Sequence, residues 1–159
     1  MPDMLVKLYE LPDLTLELKK LKKNGITVRK AMSYEKQDVV GWVQKVFGRE
    51  WASECGVAFC NSPISCFIAT ENGKILGFAC YDCTSKDFFG PTGVNKFARG
   101  RGIGKALLLV CLHAMAAVGY SYAIIGGVGP AEFYTKTCGA VEIKGSKPGI
   151  YQDRLRVDN

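Results

Sequence analysis

The chain has 159 residues, of which 48% are apolar and 23% are charged. This length suits one domain with one core and argues against two full domains, and the composition excludes a disordered chain. The 21 basic and 15 acidic residues give a formal net charge of +6. Such a charge favours anionic partners only mildly, and no apolar run approaches the roughly 18 residues that a membrane span needs. We therefore expect neither nucleic acid nor a membrane as a partner.

The cysteine content and the first residues indicate a reducing environment. The seven cysteines are an odd number, and the chain begins with charged residues rather than an apolar signal segment. We therefore predict a cytoplasmic protein with free thiols, most of them small core residues. Cys80 and Cys83 form one C-x-x-C pair without a second, so we expect no metal site, because a zinc site usually has four ligands. His113, the only histidine, lies among apolar residues and is interpreted as a core histidine rather than a base.

The first half of the chain predicts an extension followed by a strand, two helices and a hairpin. Residues 1–25 are predicted to be an N-terminal extension, in which Leu14, Leu18 and Leu21 at helical spacing indicate a helix. The domain itself is expected to span residues 26–159. Its first elements are predicted as a strand at 26–31, a helix from the N-cap Ser33 to Phe47, a helix at 50–59 and strands at 65–70 and 74–81 joined by the tight turn Asn72-Gly73.

The second half predicts a β-α-β unit. A strand at 88–94 is interrupted by Gly90 and Pro91, which predicts a bulge there. The helix at 102–118 has almost no polar face and is expected to be buried on most sides. The apolar strand at 122–125 is then expected to lie parallel to its predecessor. A short helix at 130–138 and strands at 141–143 and 150–155 complete a mixed α/β fold.

One segment carries the chemistry, the stretch R-G-R-G-I-G-K-A at 99–106, between a strand and the buried helix. Its glycines leave backbone N–H groups uncovered, and the helix N-terminus directs further unpaired donors to the same place. Arg99, Arg101 and Lys105 add positive charge. Many donors and close backbone approach are what a diphosphate group requires.

Spacing separates three patterns that bind nucleotide phosphates. A P-loop requires a glycine where Arg99 stands and a hydroxyl where Ala106 stands, so this pattern fails. A Rossmann fingerprint requires G-x-G-x-x-G after a first strand and an acidic residue about 20 positions later, and it fails as well. The pattern R-x-x-G-x-G fits directly, as Arg99, Gly102 and Gly104.

With its context, this pattern resembles the GNAT superfamily of N-acetyltransferases. The matching stretches are V-N-K-F-A-R-G-R-G-I-G-K-A-L-L at 94–108 and F-Y-T-K-T-C-G at 133–139, and the order of elements agrees from about residue 26 to 155. The resemblance implies a mixed sheet with two splayed central parallel strands and helices on both faces. It implies acetyl-CoA as the donor, a small-molecule or peptide amine as the acceptor, and the homodimers that this family often forms.

The resemblance also implies where the site lies. The pyrophosphate is expected on the backbone amides of residues 99–105, called the glycine turn below. The pantetheine arm is expected between the strand that ends at Val94 and the strand at 122–126. Tyr134 matches the tyrosine that protonates the leaving thiolate, whereas an asparagine that usually precedes it by seven residues is here Gly127. The expected cofactor-binding residues are Thr92, Val94, Arg99, Gly100, Arg101, Gly102, Ile103, Gly104 and Lys105.

The base that takes the proton of the amine is open among three carboxylates. Glu54, Asp82 and Asp87 all lie on segments near the expected acceptor side, and Asp87 is favoured because it starts the splayed strand. Direct attack of the amine is simpler than a cysteine nucleophile, because a thiol needs a basic partner and His113 is badly placed.

Two functions therefore stay open at this point. The first is an acetyl-CoA-dependent N-acetyltransferase that acts on a primary amine. The second is a catalytically weak or inactive GNAT-like module that senses CoA or forms a scaffold, because the motif around Tyr134 is irregular. A basic RNA-binding protein is a more distant third, since the aromatic residues follow core-like patterns and do not alternate with lysine and arginine.

Overall fold

The computed structural model describes residues 1–157. The strands are β1 Met4–Lys7, β2 Ile26–Lys30, β3 Cys66–Glu71, β4 Lys74–Tyr81, β5 Phe88–Val94, β6 Tyr122–Ile125 and β7 Val141–Glu142. Within the described residues they form one mixed sheet in the order β2-β3-β4-β5-β6-β1-β7. The helices are α1 Thr15–Lys23, α2 Lys36–Phe47, α3 Arg49–Ala58, α4 Ile103–Ala117 and α5 Ala131–Cys138, with short 3₁₀ turns at Leu8–Glu10, Ser33–Glu35, Lys96–Ala98 and Gly149–Tyr151. The mixed α/β fold predicted from the sequence is thereby confirmed.

Two apolar clusters lie on opposite faces of this sheet. Successive residues of β4 alternate between them: Phe78 and Cys80 pack with α2 and α3, whereas Ala79 and Tyr81 pack with α4. Alternation of this kind follows from the period of two residues in a strand. Helix α4 is buried along most of its length, as predicted. None of the helices among the described residues is long and apolar enough to cross a membrane.

The hairpin and the β-α-β unit form as the sequence predicts. Asn72 and Gly73 both have positive φ angles, of 51° and 73°, which suits the tight turn between β3 and β4. Strands β5 and β6 pair in parallel across the α4 crossover. Between the paired positions Ala79↔Thr92 and Tyr81↔Phe89, β5 contributes one residue more than β4, so the predicted bulge lies at Gly90 and Pro91.

The first 25 residues contribute to the sheet itself. Strand β1 lies between β6 and β7 and is antiparallel to both. Met4 and Val6 are buried because their side chains point into the α4 cluster. The helix predicted in this segment is present as α1, and His113 holds the segment through the carbonyl oxygen of Pro12, 2.8 Å from its Nε2 atom. This segment is therefore continuous with the domain that it was expected to precede.

Two predicted details are wrong. The segment predicted as a strand at 150–155 forms no strand, because β1 occupies the position beside β6 and because Pro148 and Gly149 lead into a 3₁₀ turn. Ser33 begins a 3₁₀ turn rather than capping a helix. The Glu35 carboxylate accepts the backbone N–H of Met32 at 2.8 Å in its place, and it also pairs with the Arg29 guanidinium.

Candidate functional site

Strands β5 and β6 separate shortly after they meet. They are paired only at Phe88↔Ile124 and Phe89↔Ile125, and beyond these residues the Gly90-Pro91 bulge carries β5 away from the end of β6. The space between them opens into a cavity of about 980 Å³. The splayed parallel pair expected from the sequence is therefore present.

The cavity has walls on both faces of the sheet. Phe133 and Tyr134 of α5 form its wall on the α4 face, where Tyr134 packs with the Phe89 ring. Trp51 and Glu54 of α3 form its wall on the opposite face. A molecule in this cavity can thus be reached from one side by a phenol and from the other by a carboxylate.

The glycine turn lies between the end of β5 and the start of α4. Gly100 and Gly102 have φ angles of +80° and +83°, a conformation that side chains with a Cβ rarely adopt. Gly104 lies in the first turn of α4, where a Cβ would be 3.7 Å from the side chain of Val94. Ile103 is buried in the core, so only its backbone faces the turn. The helix start therefore exposes N–H donors without a side chain over them.

The three basic residues of the turn are held by neighbouring groups. Arg101 pairs with Glu71 of β3 at 2.8 Å, and Lys105 pairs with Glu17 of α1 at 3.0 Å. The Arg99 guanidinium donates from Nε to the Val94 carbonyl oxygen at 3.3 Å. These contacts position the cations around the turn. The contact with α1 could not be foreseen, because α1 was expected to lie outside the domain.

Of the two remaining residues expected along β5, Thr92 lines the cavity and Val94 does not. The Thr92 hydroxyl donates to the Phe78 carbonyl oxygen at 3.1 Å, which fixes this part of the strand. Val94 lies near the glycine turn and contributes its backbone to that region.

Tyr134 lies in the cavity with its ring largely buried. It is 7% exposed and packs edge-to-face against Phe89 and Phe133, at centroid distances of 6.5 and 5.1 Å. Burial raises the pKa of the Tyr134 phenol, with a smaller contribution from Cys138. A raised pKa keeps this hydroxyl protonated at neutral pH, which is the state that a proton donor needs.

Asp87 lies outside the cavity. Its backbone N–H donates to Asp82 at 2.7 Å, and its carbonyl oxygen accepts the N–H of Ile124 at 2.9 Å. Burial, together with the nearby Asp82 carboxylate, raises the pKa of Asp87 to about 6. The Tyr120 hydroxyl donates to Asp82 from the same side. This group links the start of β5 to the end of α4 and does not reach a molecule between β5 and β6.

Of the three candidate carboxylates, Glu54 is the one that lines the cavity. It is half-buried on α3, and burial raises its pKa, against an opposing effect of the neighbouring Thr84 hydroxyl. Trp51, 38% exposed, lies one helical turn earlier and also lines the cavity. Their spacing of three residues on one helix could have paired them from the sequence, but nothing in the sequence aims that face at β5.

The C-terminal segment, residues 147–157, is the part of the site that the sequence did not predict. Lys147, Tyr151, Arg154 and Leu155 all line the cavity. A Cβ built on Gly126 would lie 2.6 Å from the Tyr151 hydroxyl, so this close approach requires a glycine at the end of β6.

Asp3 connects the two ends of the chain at the rim of the cavity. Its buried carboxylate accepts the Gly127 N–H at 2.9 Å, and its own N–H donates to the Ser146 hydroxyl at 2.7 Å. Gly127 is the position at which the resemblance expects an asparagine. Here its backbone is fixed by a residue of the N-terminal segment instead.

A cluster of thiols lies in the core next to α3. The Sγ atoms of Cys55, Cys66 and Cys80 are within 4.8 Å of one another, and all three residues are fully buried. Cys80 therefore meets cysteines that are distant in sequence. Burial raises the pKa of Cys80, so this thiol stays protonated among the apolar side chains of Ile68 and Phe78. The cluster packs as part of the core.

Comparison with known proteins agrees with this geometry. The sequence profile described as the acetyltransferase (GNAT) family matches residues 36–140. That range begins at α2 and includes the glycine turn and all of α5. A search of curated protein sequences gives no match.

Solved structures with the same fold have low sequence identity to this chain. A glucosamine N-acetyltransferase region of a fungal multi-domain GH3 β-N-acetylglucosaminidase aligns with 89% of this chain and 19% of its own, at 15% identity and a TM-score of 0.73. A GCN5-related N-acetyltransferase from Sphaerobacter thermophilus aligns with 89% of this chain and 48% of its own, at 20% identity and a TM-score of 0.67.

A GNAT family acetyltransferase from Brucella melitensis, solved in complex with acetyl-CoA, aligns with 70% of this chain and 80% of its own, at 16% identity and a TM-score of 0.55. This chain thus spans less than half the length of the first two proteins. These likenesses concern the fold, whereas the family profile covers most of the sequence with its glycine turn. The chain belongs to the GNAT family of acetyltransferases.

Proposed function

We propose that this protein is an acetyl-CoA-dependent N-acetyltransferase in which a primary amine attacks the thioester directly. The observation that carries the proposal is the cavity between β5 and β6, which lies beyond the glycine turn and contains Tyr134 on one side and Glu54 on the other. A neighbour with the same fold is solved in complex with acetyl-CoA. The fold, the family and the two ionisable groups thus support one reaction.

The donor is held by backbone groups. The diphosphate rests on the N–H groups at the start of α4, with Arg99 and Lys105 beside it. The pantetheine arm runs from there into the gap where β5 no longer pairs with β6, and its amides bond to the free backbone edges as an added strand does. This arrangement places the thioester between the two walls of the cavity.

Glu54 replaces Asp87 as the base in this proposal. The Glu54 carboxylate accepts a proton from the amine, directly or through a water molecule, while the amine nitrogen bonds to the acetyl carbon. The raised pKa of Glu54 makes it a better proton acceptor than an exposed glutamate. Asp87 has its backbone tied to Asp82 and Ile124 and lies outside the cavity.

Tyr134 completes the transfer on the other face of the sheet. The tetrahedral intermediate carries negative charge on the former carbonyl oxygen, which a backbone N–H of the splayed strand stabilises. As the carbon–sulfur bond breaks, the Tyr134 phenol gives its proton to the departing thiolate. Solvent then restores the proton on the tyrosine and removes the one on Glu54, so the enzyme returns to its starting state.

A CoA-binding sensor is the rival function, because the motif around Tyr134 departs from the family pattern. Calorimetry with acetyl-CoA, together with steady-state release of CoA thiol in the presence of an amine panel, separates the two. Binding with turnover is the expected result. Binding without turnover of any amine would favour the sensor, and failure to bind acetyl-CoA would contradict both functions.

The panel should include an amino sugar, a polyamine, amino acids, peptides with free N-termini and amines with apolar groups. Glucosamine belongs in it because one neighbour of the same fold is a glucosamine N-acetyltransferase region. The sequence identity to that neighbour is only 15%, so glucosamine has no priority over the other amines. The acceptor has to be inferred from the residues that line the cavity.

A further inference from the structure

We propose that the acceptor is a primary amine attached to a flat apolar group, such as an arylalkylamine, and that the C-terminal segment selects it. This inference rests on the proposed function, since it assigns the acceptor part of the same cavity. The part concerned is bounded by Trp51 and Glu54 of α3 and by Tyr151 and Leu155 of the C-terminal segment.

Aromatic surface without a partner in the protein points to the apolar group. Trp51 is 38% exposed although its ring already packs against Phe47 and Phe78. It also lines the cavity, so part of the indole is accessible there. Tyr151 of the C-terminal segment supplies a second aromatic ring to the lining of the cavity. Two such rings offer a flat ligand stacking contacts and a large apolar area.

The charge of this region points to the amine. Glu50 and Glu54 both line it, but Glu50 is paired with Arg154 at 2.8 Å. The ion pairs found among residues 1–157 do not include Glu54. A carboxylate beside aromatic rings attracts an ammonium group, both by its own charge and through the ring faces. The amine then lies at the group that is to deprotonate it.

The same contacts argue against a polyhydroxylated acceptor. Glu50 and Arg154 form a hydrogen-bonded ion pair with each other, and the Thr84 hydroxyl lies beside Glu54. A sugar needs several free hydrogen-bonding side chains, because each buried hydroxyl left unpaired loses the hydrogen bonds that it makes to water. The Trp51, Tyr151 and Leu155 side chains offer aromatic and aliphatic surface here.

The C-terminal segment is positioned to act as a selective wall rather than as a loose tail. The Tyr151 hydroxyl lies close to Gly126. The Asp3 carboxylate accepts the Gly127 N–H, and the Asp3 N–H donates to the Ser146 hydroxyl, which anchors the start of the segment. Burial raises the pKa of Tyr151, in keeping with a ring held against the protein. Its removal should therefore widen the acceptor part of the cavity without disturbing the glycine turn.

The test compares tryptamine and phenethylamine with glucosamine and spermidine as acceptors for the full chain. We expect kcat/KM for the aromatic amines to be higher by at least roughly tenfold, the value of one well-placed aromatic contact. Higher kcat/KM for glucosamine or spermidine would overturn the inference and leave the proposed function intact.

Three variants locate the effect. Trp51→Ala and Tyr151→Ala should each raise KM for tryptamine about tenfold, because each removes a ring from the acceptor part of the cavity. Trp51→Ala should also leave KM for acetyl-CoA within about twofold, because Trp51 lies on α3 and is not among the residues expected to bind the cofactor. Ile150→Ala, next to Tyr151 but 57% exposed and outside the cavity wall, is the matched control and should behave as the parent. Tyr151→Leu replaces the alanine variant if that variant does not fold. Unchanged KM in both aromatic variants would overturn the inference.

Calorimetric binding of tryptamine to the protein saturated with CoA makes the test independent of turnover. A dissociation constant that both aromatic variants weaken about tenfold supports the acceptor site even if no amine is acetylated. In that case the proposed function fails and the site stands. Absence of tryptamine binding, with CoA bound, overturns the site itself.

Discussion

Burial raises the pKa values of both Tyr134 and Glu54, and the proposed mechanism uses the two shifts in opposite ways. The phenol is kept protonated and so is ready to donate, whereas the carboxyl group becomes more basic and so is ready to accept. They lie on opposite faces of one sheet, at the walls of a single cavity. In the proposed reaction, the base acts where the nitrogen–carbon bond forms and the acid acts where the carbon–sulfur bond breaks.

Replacement of Tyr134 by phenylalanine tests the acid. The ring contacts with Phe89 and Phe133 would remain, and only the hydroxyl would be lost. We expect kcat to fall roughly 10²–10⁴-fold with little change in acetyl-CoA affinity, because the proton is needed only as the thiolate forms. Steady-state kinetics and calorimetry measure the two quantities. A kcat within about threefold of the parent would remove Tyr134 from the mechanism, provided that chemistry limits the rate.

Replacement of Glu54 by glutamine tests the base through its pH profile. A carboxyl group accepts protons only when ionised, so kcat of the parent should fall as the pH drops through the pKa of Glu54. This acidic limb should lie above that of an ordinary glutamate, because the pKa is raised. Glu54→Gln should lower kcat and abolish the limb, as measured by initial rates across pH.

Glu50→Gln is the matched control, one helical turn away on α3 and already paired with Arg154. It should retain the acidic limb. A limb that persists in Glu54→Gln but disappears in Glu50→Gln would assign the base to Glu50 instead.

The choice between Glu54 and Asp87 illustrates what a sequence can predict about single residues. The glycine turn and Tyr134 are local motifs, so their positions follow from spacing within a few residues. Which carboxylate lines the cavity depends on which face of α3 meets the gap beside β5, and on the backbone of Asp87, whose φ is +66°. Neither feature can be read from adjacent residues in the sequence, because both depend on how distant parts of the chain pack together.

Among the elements, the turn before α4 is sensitive to substitution through its backbone conformation. At Gly102, φ is +83° and a Cβ would meet no atom within 4 Å, so a side chain is opposed by backbone conformation rather than by crowding. Gly102→Glu should abolish acetyl-CoA binding in calorimetry, because it also places a negative charge beside the phosphates.

Gly119 supplies a control with a similar backbone. Its φ is +113°, a Cβ there also meets nothing within 4 Å, and it lies past the far end of the 15-residue helix α4, roughly 22 Å away. Gly119→Glu should carry a comparable conformational cost and keep acetyl-CoA binding. If the Gly102 variant is folded and binds as the parent does, the turn is not the diphosphate site.

Strand β1 is the element that local sequence rules could not identify. The four residues Met4–Lys7 show too little alternation to predict a strand. The position of β1 follows only from its partners at 122–125 and 141–142. The reverse error at 150–155 has the same origin, because β1 already occupies the position beside β6. The hairpin, α4 and the parallel pair were predictable because their partners lie close in sequence.

The contribution of β1 to stability is measurable through Val6, which is fully buried beneath α4. Val6→Ala removes two methyl groups and leaves a cavity, so we expect a loss of about 2 kcal/mol. For a chain of this size, that corresponds to a melting temperature lower by roughly 4–8 °C. Lys7→Ala, exposed on the same strand, is the control and should melt close to the parent. Equal melting of the two variants would mean that β1 is not part of the core.

At the scale of the whole molecule, the thiols report on the integrity of the fold. None of the seven cysteines, all within the described residues, forms a disulfide, and five of them are buried. Thiol titration in denaturant without reductant should therefore count close to all seven. In the native protein, Cys60 should react first and Cys83 more slowly, because the others are shielded. Two or more thiols missing from the denatured count would contradict this arrangement.

The position of β1 also affects the order in which the molecule assembles. Met4 pairs with Ile125 and with Glu142, so both partners of this strand are synthesised more than a hundred residues after it. At about 5–20 residues per second on the ribosome, β1 waits several seconds or more while the β3-β4 hairpin is already complete. During this time Met4, Val6 and Leu8, buried in the finished protein, are accessible to chaperones. The sheet can close around β1 only once β7 has emerged. The cavity between β5 and β6, where Asp3 holds Gly127, is therefore completed only after the C-terminal residues that line it have been translated.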